Sequence, residues 1–196
     1  KNIFCLSFIK CPNNQLPLFN GASEILVDKF DEFLEENIKM KNSTDVIGGL
    51  LKLKQKGHVI FFDIGQPPKK DFSKCYQSGP LSFEYYLDNI KIISNSGFGD
   101  NISSKAELLS RLTACQTTLT LNDTSVTKFE RNKLINKIFG NSIKSTFKTY
   151  DINIFKEKNI IGCSASHNGY ENKFDCIHKR EISFDKINGY IKGSDH

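Results

Sequence analysis

The most constraining feature of this sequence is a change of hydrophobic period at about residue 43. Before that point Leu26, Phe30 and Phe33 recur at helical spacing, and Ser23 stands where an N-terminal cap is expected. After it, apolar residues come in short runs or alternate with polar ones, and turn residues separate the runs. The change predicts one helix starting at Ser23, followed by a domain made of strands.

About eight short strands are predicted after this change. The run 58–64 is almost continuously apolar, which is typical of a strand buried on both faces. Apolar and polar residues alternate over 81–87, which predicts one packed face and one solvent-facing face. Turns are predicted at 88–89 and 188–189, and 132–139 is compatible with a short helix. The remaining predicted strands are 91–94, 117–121, 142–150, 152–155, 160–165, 174–187 and 190–192.

Strands joined by turns, with almost no helix after residue 43, favour a mainly β fold. We expect an antiparallel β-sandwich at 43–196, preceded by one α-helix within 1–42. No run of 18 apolar residues exists, so no membrane span is predicted. The net charge of +5 permits an acidic partner. The chain has no block of five like charges, so a nucleic-acid-binding arm is not predicted. Because the chain begins with Lys1, we expect an internal piece of a longer protein or a mature form whose leader has been removed, with truncation at both ends.

Acid–base and metal sites are easy to enumerate, because the chain has four histidines and no pair of cysteines at CxxC spacing. His58 opens a buried strand, which favours a structural role, and His196 is terminal. His178 alternates with Arg180 on one strand face, for which a solvated basic surface is the simpler interpretation. His167 lies in a polar segment predicted as a loop, where an imidazole can act as acid, base or ligand. A turn residue that bonds its own backbone explains the same pattern.

Seven short segments carry a family resemblance when they are taken together. They are LFNG at 18–21, DIGQPP at 63–68, GPLSFE at 79–84, TACQTTL at 113–119, NDTS at 122–125, SHNGY at 166–170 and IHKR at 177–180. Each segment is weak alone, but their order and spacing cover about residues 16–193. In this combination the sequence resembles the heparinase II/III-like family of polysaccharide lyases.

The resemblance implies an N-terminal α/α toroid, an antiparallel β-sandwich, and a glycan bound in the cleft between them. Residues 1–42 would then be the end of the toroid, and 43–196 would be most of the sandwich. It also implies β-elimination on uronate-containing acidic glycans, in which a base removes the proton beside the carboxylate and an acid protonates the leaving oxygen. The Tyr and Asn usually given these roles would come from the toroid. The implied partners are an acidic polysaccharide and the protein's own toroid, and the implied location is the periplasm or cell envelope.

The resemblance further implies a zinc site in the sandwich, but the matching positions carry poor ligands. Cys75 and Gln77 occupy two histidine positions, Asn95 occupies an aspartate position, and Gln116 occupies a third histidine position. Amide oxygens are weak zinc donors compared with imidazole and carboxylate. We therefore expect no zinc and no other cofactor, and instead a hydrogen-bonded cluster in which Gln77 and Gln116 meet. A disulfide between Cys75 and Cys115 is conceivable on this alignment.

Loss of these ligands leaves His167 and Tyr170 as the predicted catalytic, sugar-facing residues. The predicted substrate-binding residues are His178, Arg180, Gln77 and Gln116. Arg180 suits a uronate carboxylate because a guanidinium can pair with it through two hydrogen bonds. Three hypotheses follow: the sandwich half of a lyase, a relative that binds acidic glycans without cutting them, and a structural domain in which His167 and Arg180 are paired inside the protein.

Overall fold

Two antiparallel sheets form the body of the protein, and the computed structural model describes residues 7–24 and 45–196. The first sheet has five strands in sequence order and the second has four, also in sequence order. The first contains β1 (Val46–Ile47), β2 (Leu50–Gln55), β3 (His58–Asp63), β4 (Phe83–Leu87) and β5 (Ile90–Ile93). The second contains β6 (Thr149–Lys156), β7 (Ile160–Tyr170), β8 (Cys176–Asp185) and β9 (Ile191–Asp195).

The main hydrophobic core lies between the two sheets. Alternate residues of a strand point to opposite faces, so each strand contributes every second side chain. The core residues of the first sheet and its flanks are Leu51, Leu53, Ile60, Phe62, Ile64 and Leu81. Those of the second sheet are Ile161, Cys163, Ala165, Ile182 and Phe184. One cluster drawn from both sheets is the packing of a β-sandwich, which confirms the predicted fold class.

The outer face of the first sheet is buried, whereas the alternation over 81–87 predicted a solvent-facing surface there. Residues 7–19 cover this face, and Cys11 packs with Val59, Phe61 and Tyr86. Glu84, expected in water, is completely buried and accepts hydrogen bonds from the Tyr86 hydroxyl and the Asn95 backbone. The prediction was wrong because the covering segment lies far away in sequence.

Within residues 45–196, helices occupy the long connection between the sheets and one turn in the second sheet. They are α1 (Ser104–Ser110), α2 (Lys133–Phe139) and α3 (Glu171–Phe174), with 3-10 turns at Lys70–Phe72 and Thr113–Cys115. Ser103 and Asn132 cap α1 and α2 by accepting backbone N–H groups with their side chains. The ambiguous segment 132–139 is thus helical, while α1 and α3 were not predicted.

Two of the predicted strands do not form. Residues 117–121 and 142–148 lie outside the sheets, because long-range side chains bond their backbone in place of a neighbouring strand. For example, Asn95 Oδ1 accepts the Thr117 N–H at 2.9 Å, and Ser73 Oγ accepts the Ile143 N–H at 2.9 Å. Residues 149–150 instead join the predicted strand 152–155 across a bulge, and together they form β6.

The second sheet extends further than the sequence predicted. β7 continues to Tyr170 through the segment interpreted as a loop, with a bulge between His167 and Tyr170. The turn at 188–189 is confirmed, and β9 runs on to Asp195. The predicted helix from Ser23 lies almost wholly outside the described residues. Within the described part of the chain, none of the helices has the length and apolar character needed to cross a membrane.

Candidate functional site: a buried polar network

The inner face of the second sheet changes from apolar to polar along its strands. Strand register places His167 directly opposite His178, and Ala165 opposite Arg180. On the other side of β8, Arg180 lies opposite Asp195 of β9. His167 and His178 have 0% and 1% of their surface exposed. The strands that build the apolar core therefore also bring two histidines, an arginine and an aspartate together beside it.

Hydrogen bonds connect these residues in one chain and fix the proton positions. The Gly169 N–H donates to His167 Nδ1 at 3.0 Å, so the ring proton of His167 is on Nε2. That Nε2–H donates to His178 Nδ1 at 3.0 Å, which places the His178 proton on Nε2. His178 Nε2–H then donates to Asp195 Oδ1 at 2.8 Å. Both histidines are thus neutral, and both of their ring nitrogens are engaged.

A glycine at 169 is required for this geometry. A Cβ added there would lie 2.1 Å from Val126 Cγ1 and 3.0 Å from His167 Nδ1, too close for any side chain. The absence of a side chain lets the backbone N–H of Gly169 approach the imidazole after the bulge. The bulge changes the direction of the end of β7, so that the Gly169 N–H points at the His167 ring and donates to it.

Arg180 joins the network to the first sheet. Its Nε and Nη2 pair with the two carboxylate oxygens of Asp195 at 2.7 and 2.9 Å. Its Nη1 donates to the Leu81 and Thr117 carbonyls at 2.8 and 2.6 Å. Leu81 precedes β4, and Thr117 lies in the long connection between the sheets. One guanidinium therefore holds three separate parts of the chain together.

The electrostatics of the network favour neutral histidines beside an ionised Asp195. Burial, with smaller contributions from His178 and Arg180, lowers the pKa of His167 to about 3. Burial also lowers the pKa of His178, although the hydrogen bond to Asp195 opposes this shift. Partial burial raises the pKa of Asp195, but hydrogen bonds from Arg180 and His178 outweigh it and bring the pKa to about 2. The Arg180–Asp195 pair is then the only full charge pair in the network.

A second polar cluster lies near Thr117 and contains the amides predicted to replace metal ligands. Gln77 Nε2 and Gln116 Nε2 both donate to the Ser110 carbonyl, at 3.1 and 2.7 Å. Gln77 also accepts the Gly21 N–H at 3.0 Å through Oε1. Asn95 Oδ1 accepts from the Thr117 backbone and hydroxyl. The structure thus brings Gln77 and Gln116 together, as predicted, on one carbonyl oxygen.

Comparison with known proteins assigns the chain to a family. The family described as Heparinase II/III-like, C-terminal, matches residues 46–196, which is most of the chain. The chain belongs to the heparinase II/III-like C-terminal family. The resemblance seen in the short motifs is thereby confirmed. No curated protein sequence matches at a significant level.

Solved structures of heparinases share the fold. Heparan sulfate lyase HepC from Pedobacter heparinus aligns with a TM-score of 0.65 and 15% identity, over 98% of this chain and 31% of that protein. The heparinase III product of the BT4657 gene gives a TM-score of 0.69 at 15% identity, with the same coverage. Another heparinase III gives 0.64 at 13% identity, over 98% of this chain and 33% of that protein. The chain spans about a third of these relatives and has the fold of their C-terminal regions.

The amide cluster does not fit the zinc ion that the family resemblance implies. Gln77 uses Oε1 for the Gly21 N–H, and Asn95 uses Oδ1 for Thr117, so their oxygens are already engaged. Gln116 directs its Nε2, which cannot bind a cation, at the Ser110 carbonyl. Across residues 7–24 and 45–196, no group of three or more His, Cys, Asp or Glu side chains is placed to hold a metal. Zinc prefers imidazole, thiolate and carboxylate donors, and of the four positions only Cys75 carries such a group.

The structure places the predicted site residues of this heparinase-like domain in the interior, whereas their predicted roles require them to face a sugar. The His167 and Tyr170 side chains are buried, and the Tyr170 hydroxyl donates to the Leu119 carbonyl at 2.7 Å. The solvated basic face considered for His178 and Arg180 is wrong, because β9 and the Thr117 loop cover it. The catalytic and substrate-binding roles stay predictions, and they would require these side chains to become accessible.

Asp195 and Glu84 were not predicted from the sequence, and one possible disulfide was left open. A partial signal for Asp195 was the turn at 188–189: a two-residue turn there places residue 195 opposite Ile182, on the same strand face as Arg180. The observed register moves Asp195 two residues along, opposite Arg180. Glu84 gave no comparable signal, because only residues distant in sequence show that its strand face is buried. Cys75 and Cys115 are free thiols, so the conceivable disulfide does not form.

Proposed function

We propose that this chain is the sandwich part of a polysaccharide lyase that cleaves uronate-containing acidic glycans by β-elimination. The observation that carries the proposal is the family match over residues 46–196. The aligned structures are of a heparan sulfate lyase and heparinases III, which supports the same reaction class. The net charge of +5 is consistent with an anionic substrate.

In this proposal the reacting groups belong to a helical toroid, and the sandwich closes one side of the glycan cleft. Elimination needs a base for the proton beside the carboxylate, a group that neutralises the carboxylate, and an acid for the leaving oxygen. The buried His167 has both ring nitrogens engaged, so its contribution is to position the surrounding backbone. Arg180 would act in the same way, by fixing Leu81 and Thr117.

The test uses a protein that carries this domain together with the preceding toroid. Heparan sulfate and other uronate-containing glycans are expected to give the ultraviolet absorbance of an unsaturated uronate product, and a neutral glucan serves as the control. Arg180→Lys is expected to lower turnover and stability together, because the positioning is disturbed. If no acidic glycan yields the absorbing product, the lyase proposal fails.

A non-catalytic glycan-binding relative is the second candidate, and the amide cluster favours it. Gln77, Asn95 and Gln116 stand where the family resemblance implies a metal site, and they are engaged in protein hydrogen bonds. A binder would retain affinity for heparan sulfate that falls steeply with salt, and would form no product. Affinity and product formation measured on the same preparation separate the two candidates.

We also propose that the protein resides in the periplasm or cell envelope, because an extended acidic glycan must be reached outside the cytoplasm. Cell fractionation with an antibody against this domain tests the location. Recovery of the protein in the cytoplasmic fraction alone would contradict it.

A further inference from the structure

Arg111 carries a buried positive charge whose hydrogen-bonding groups are not all occupied by protein. It directly follows α1, and its side chain is completely buried in the connection between the two sheets. Its Nε and Nη2 donate to the Tyr76 and Ser73 carbonyls at 2.8 and 2.9 Å. The Phe129 ring covers one face of the guanidinium, with the ring centre 4.0 Å from Cζ. The remaining nitrogen, Nη1, is buried and has no hydrogen-bond partner within the described residues.

The charge of Arg111 has no carboxylate to balance it. In the part of the chain that the structure describes, acidic side chains form ion pairs with Lys156, His178 and Arg180, but not with Arg111. Burial lowers the pKa of Arg111 to about 10, against the opposing effect of the Glu107 charge, so the group stays protonated at neutral pH. Carbonyl groups and an aromatic ring attract a cation but carry no net charge. Burial of such a cation is costly unless a negative charge lies beside it.

Thr127 supplies a second unpaired polar group on the same side of the connection. Thr127 and Phe129 are turned inward, while Lys128 between them is exposed, so side chains 127 and 129 share one side of the chain. Phe129 meets the guanidinium on that side. The Oγ1 of Thr127 is buried and lacks a hydrogen-bond partner among the described residues. The Thr127 N–H donates to Ser78 Oγ at 2.9 Å, and the Ser78 N–H donates to the Arg111 carbonyl at 2.9 Å, which ties the two residues together.

Two buried donors without partners indicate an internal ligand, because almost all buried polar groups are paired with protein, water or an ion. Since Arg111 Nη1 and Thr127 Oγ1 are shut off from solvent, a phosphate, a sulfate or a sugar could not reach them without opening the fold. A water molecule or a monatomic anion meets this constraint. A water molecule would satisfy the two donors but would leave the charge of the guanidinium uncompensated.

We propose that Arg111 and Thr127 bind a buried monatomic anion, of which chloride is the abundant natural example. The N–H groups of Nη1 and the Thr127 hydroxyl would donate to it, and its charge would balance the guanidinium. The bound anion would fix the turn at 73–76 against Arg111, which already bonds both ends of that turn. The stability of the domain would then depend on which anion is present, and not on ionic strength alone. Such a site is independent of lyase activity.

The experiment measures thermal unfolding of the full chain in potassium chloride, potassium bromide and potassium gluconate at equal ionic strength. Gluconate is too large to enter the site. We expect an unfolding temperature about 3 °C higher in chloride or bromide than in gluconate, because a ligand that binds only the folded state stabilises it. In crystals grown with bromide, anomalous scattering is expected to show a peak beside Arg111 Nη1.

Arg111→Met removes the proposed cationic donor and is expected to abolish the difference between chloride and gluconate. Arg131→Met is the matched control, because Arg131 is exposed and loses the same charge, and it should keep the difference. Thr127→Val removes only the hydroxyl and is expected to reduce the difference while the guanidinium remains. If Arg111→Met does not fold, Thr127→Val and the bromide peak still test the site.

Equal unfolding temperatures in the three salts and no anomalous bromide signal beside Arg111 Nη1 would overturn the anion, and density there would then be an ordered water molecule only. A chloride effect that persists in Arg111→Met, or that disappears in Arg131→Met, would place the anion elsewhere in the protein. An unchanged difference in Thr127→Val would overturn the role of Thr127. No glycan enters these measurements, so their outcome is separate from that of the lyase assay.

Discussion

The layer between the two sheets has an apolar half and a polar half, and different interactions hold each of them together. At one end, Ile182 and Phe184 of β8 pack with Ile60 and Phe62 of the first sheet. At the other end of the same strand, Arg180 and His178 form hydrogen bonds with backbone carbonyls and Asp195. Apolar packing depends on shape and is tolerant of conservative change, whereas buried polar groups depend on complete pairing. The contrast teaches that one strand combines a pH-insensitive half with a pH-sensitive half.

The largest loss of stability is expected when Arg180 of the polar half is truncated. Arg180→Ala leaves the Leu81 and Thr117 carbonyls without a donor and Asp195 without its guanidinium. We expect a loss of about 3 kcal/mol in the free energy of unfolding, at the low end for buried pairs because Asp195 keeps contact with water. Urea denaturation measures the loss, and Lys179→Ala on the outer face is the control. A loss below about 1 kcal/mol would show that the pairing does not stabilise this half.

A smaller effect is expected from acid, through the histidines of the polar half. Burial raises the pKa of Asp63 to about 6, and this opposes the effect as the pH falls. The folded pKa of His167, about 3, is below the unfolded value of 6.5, so the unfolded chain binds more protons between these values. The stability that His167 contributes is therefore complete above about pH 6.5 and falls as the pH drops, by roughly 2 kcal/mol from pH 6.5 to 5. The lowered pKa of His178 acts in the same direction.

Denaturation at several pH values measures this slope in the native protein and in His167→Gln. The variant lacks the titrating ring, so its stability should depend less on pH over this window. An identical slope in both proteins would assign the acid sensitivity to other groups.

In the apolar half, a conservative truncation should have a modest and pH-independent effect. Ile182→Val removes one methylene from the packed cluster and is expected to cost about 1 kcal/mol. The cost should be the same at pH 7 and pH 5, because no titrating group of the polar half is changed. A cost that changes with pH would show that the two halves are coupled.

The smallest effect is expected from metal removal, since the amide cluster is held by hydrogen bonds. A chelator should leave the unfolding temperature unchanged, and elemental analysis should find no stoichiometric zinc. Gln116→Ala should still destabilise the protein, by about 1 kcal/mol, because the Ser110 carbonyl loses a donor. Stoichiometric zinc that is lost in Gln116→Ala would contradict the prediction.

The parts of the fold that depend on local pattern were predictable from the sequence. The apolar run at 58–64 and the turns at 88–89 and 188–189 are encoded by neighbouring residues, and all three are found. The connection between the sheets was not predictable in the same way. There, Ser73 bonds the Ile143 backbone and Gln77 bonds Gly21, each across more than fifty residues. Hydrophobic period carries no information on such pairs.

The sequence predicted which residues belong to the candidate site better than it predicted whether they are buried. Alternation correctly put His178 and Arg180 on one strand face. It gave no indication of whether that face meets solvent, because the answer depends on how β9 and the Thr117 loop pack. Of the alternatives for His167, the bond to nearby backbone is found, because Gly169 donates to its ring, although His167 lies in β7 and not in a turn.

The pairing of Arg180 with Asp195 also has a consequence for biosynthesis. While the nascent chain leaves the ribosome, β7 and β8 emerge before β9, so the hairpin they form carries an uncompensated guanidinium and two imidazoles on the face meant for the interior. Such a hairpin resists premature docking, because burying an unpaired cation is costly. Stable burial of Arg180 therefore requires β9, which follows the hairpin in the chain and carries Asp195.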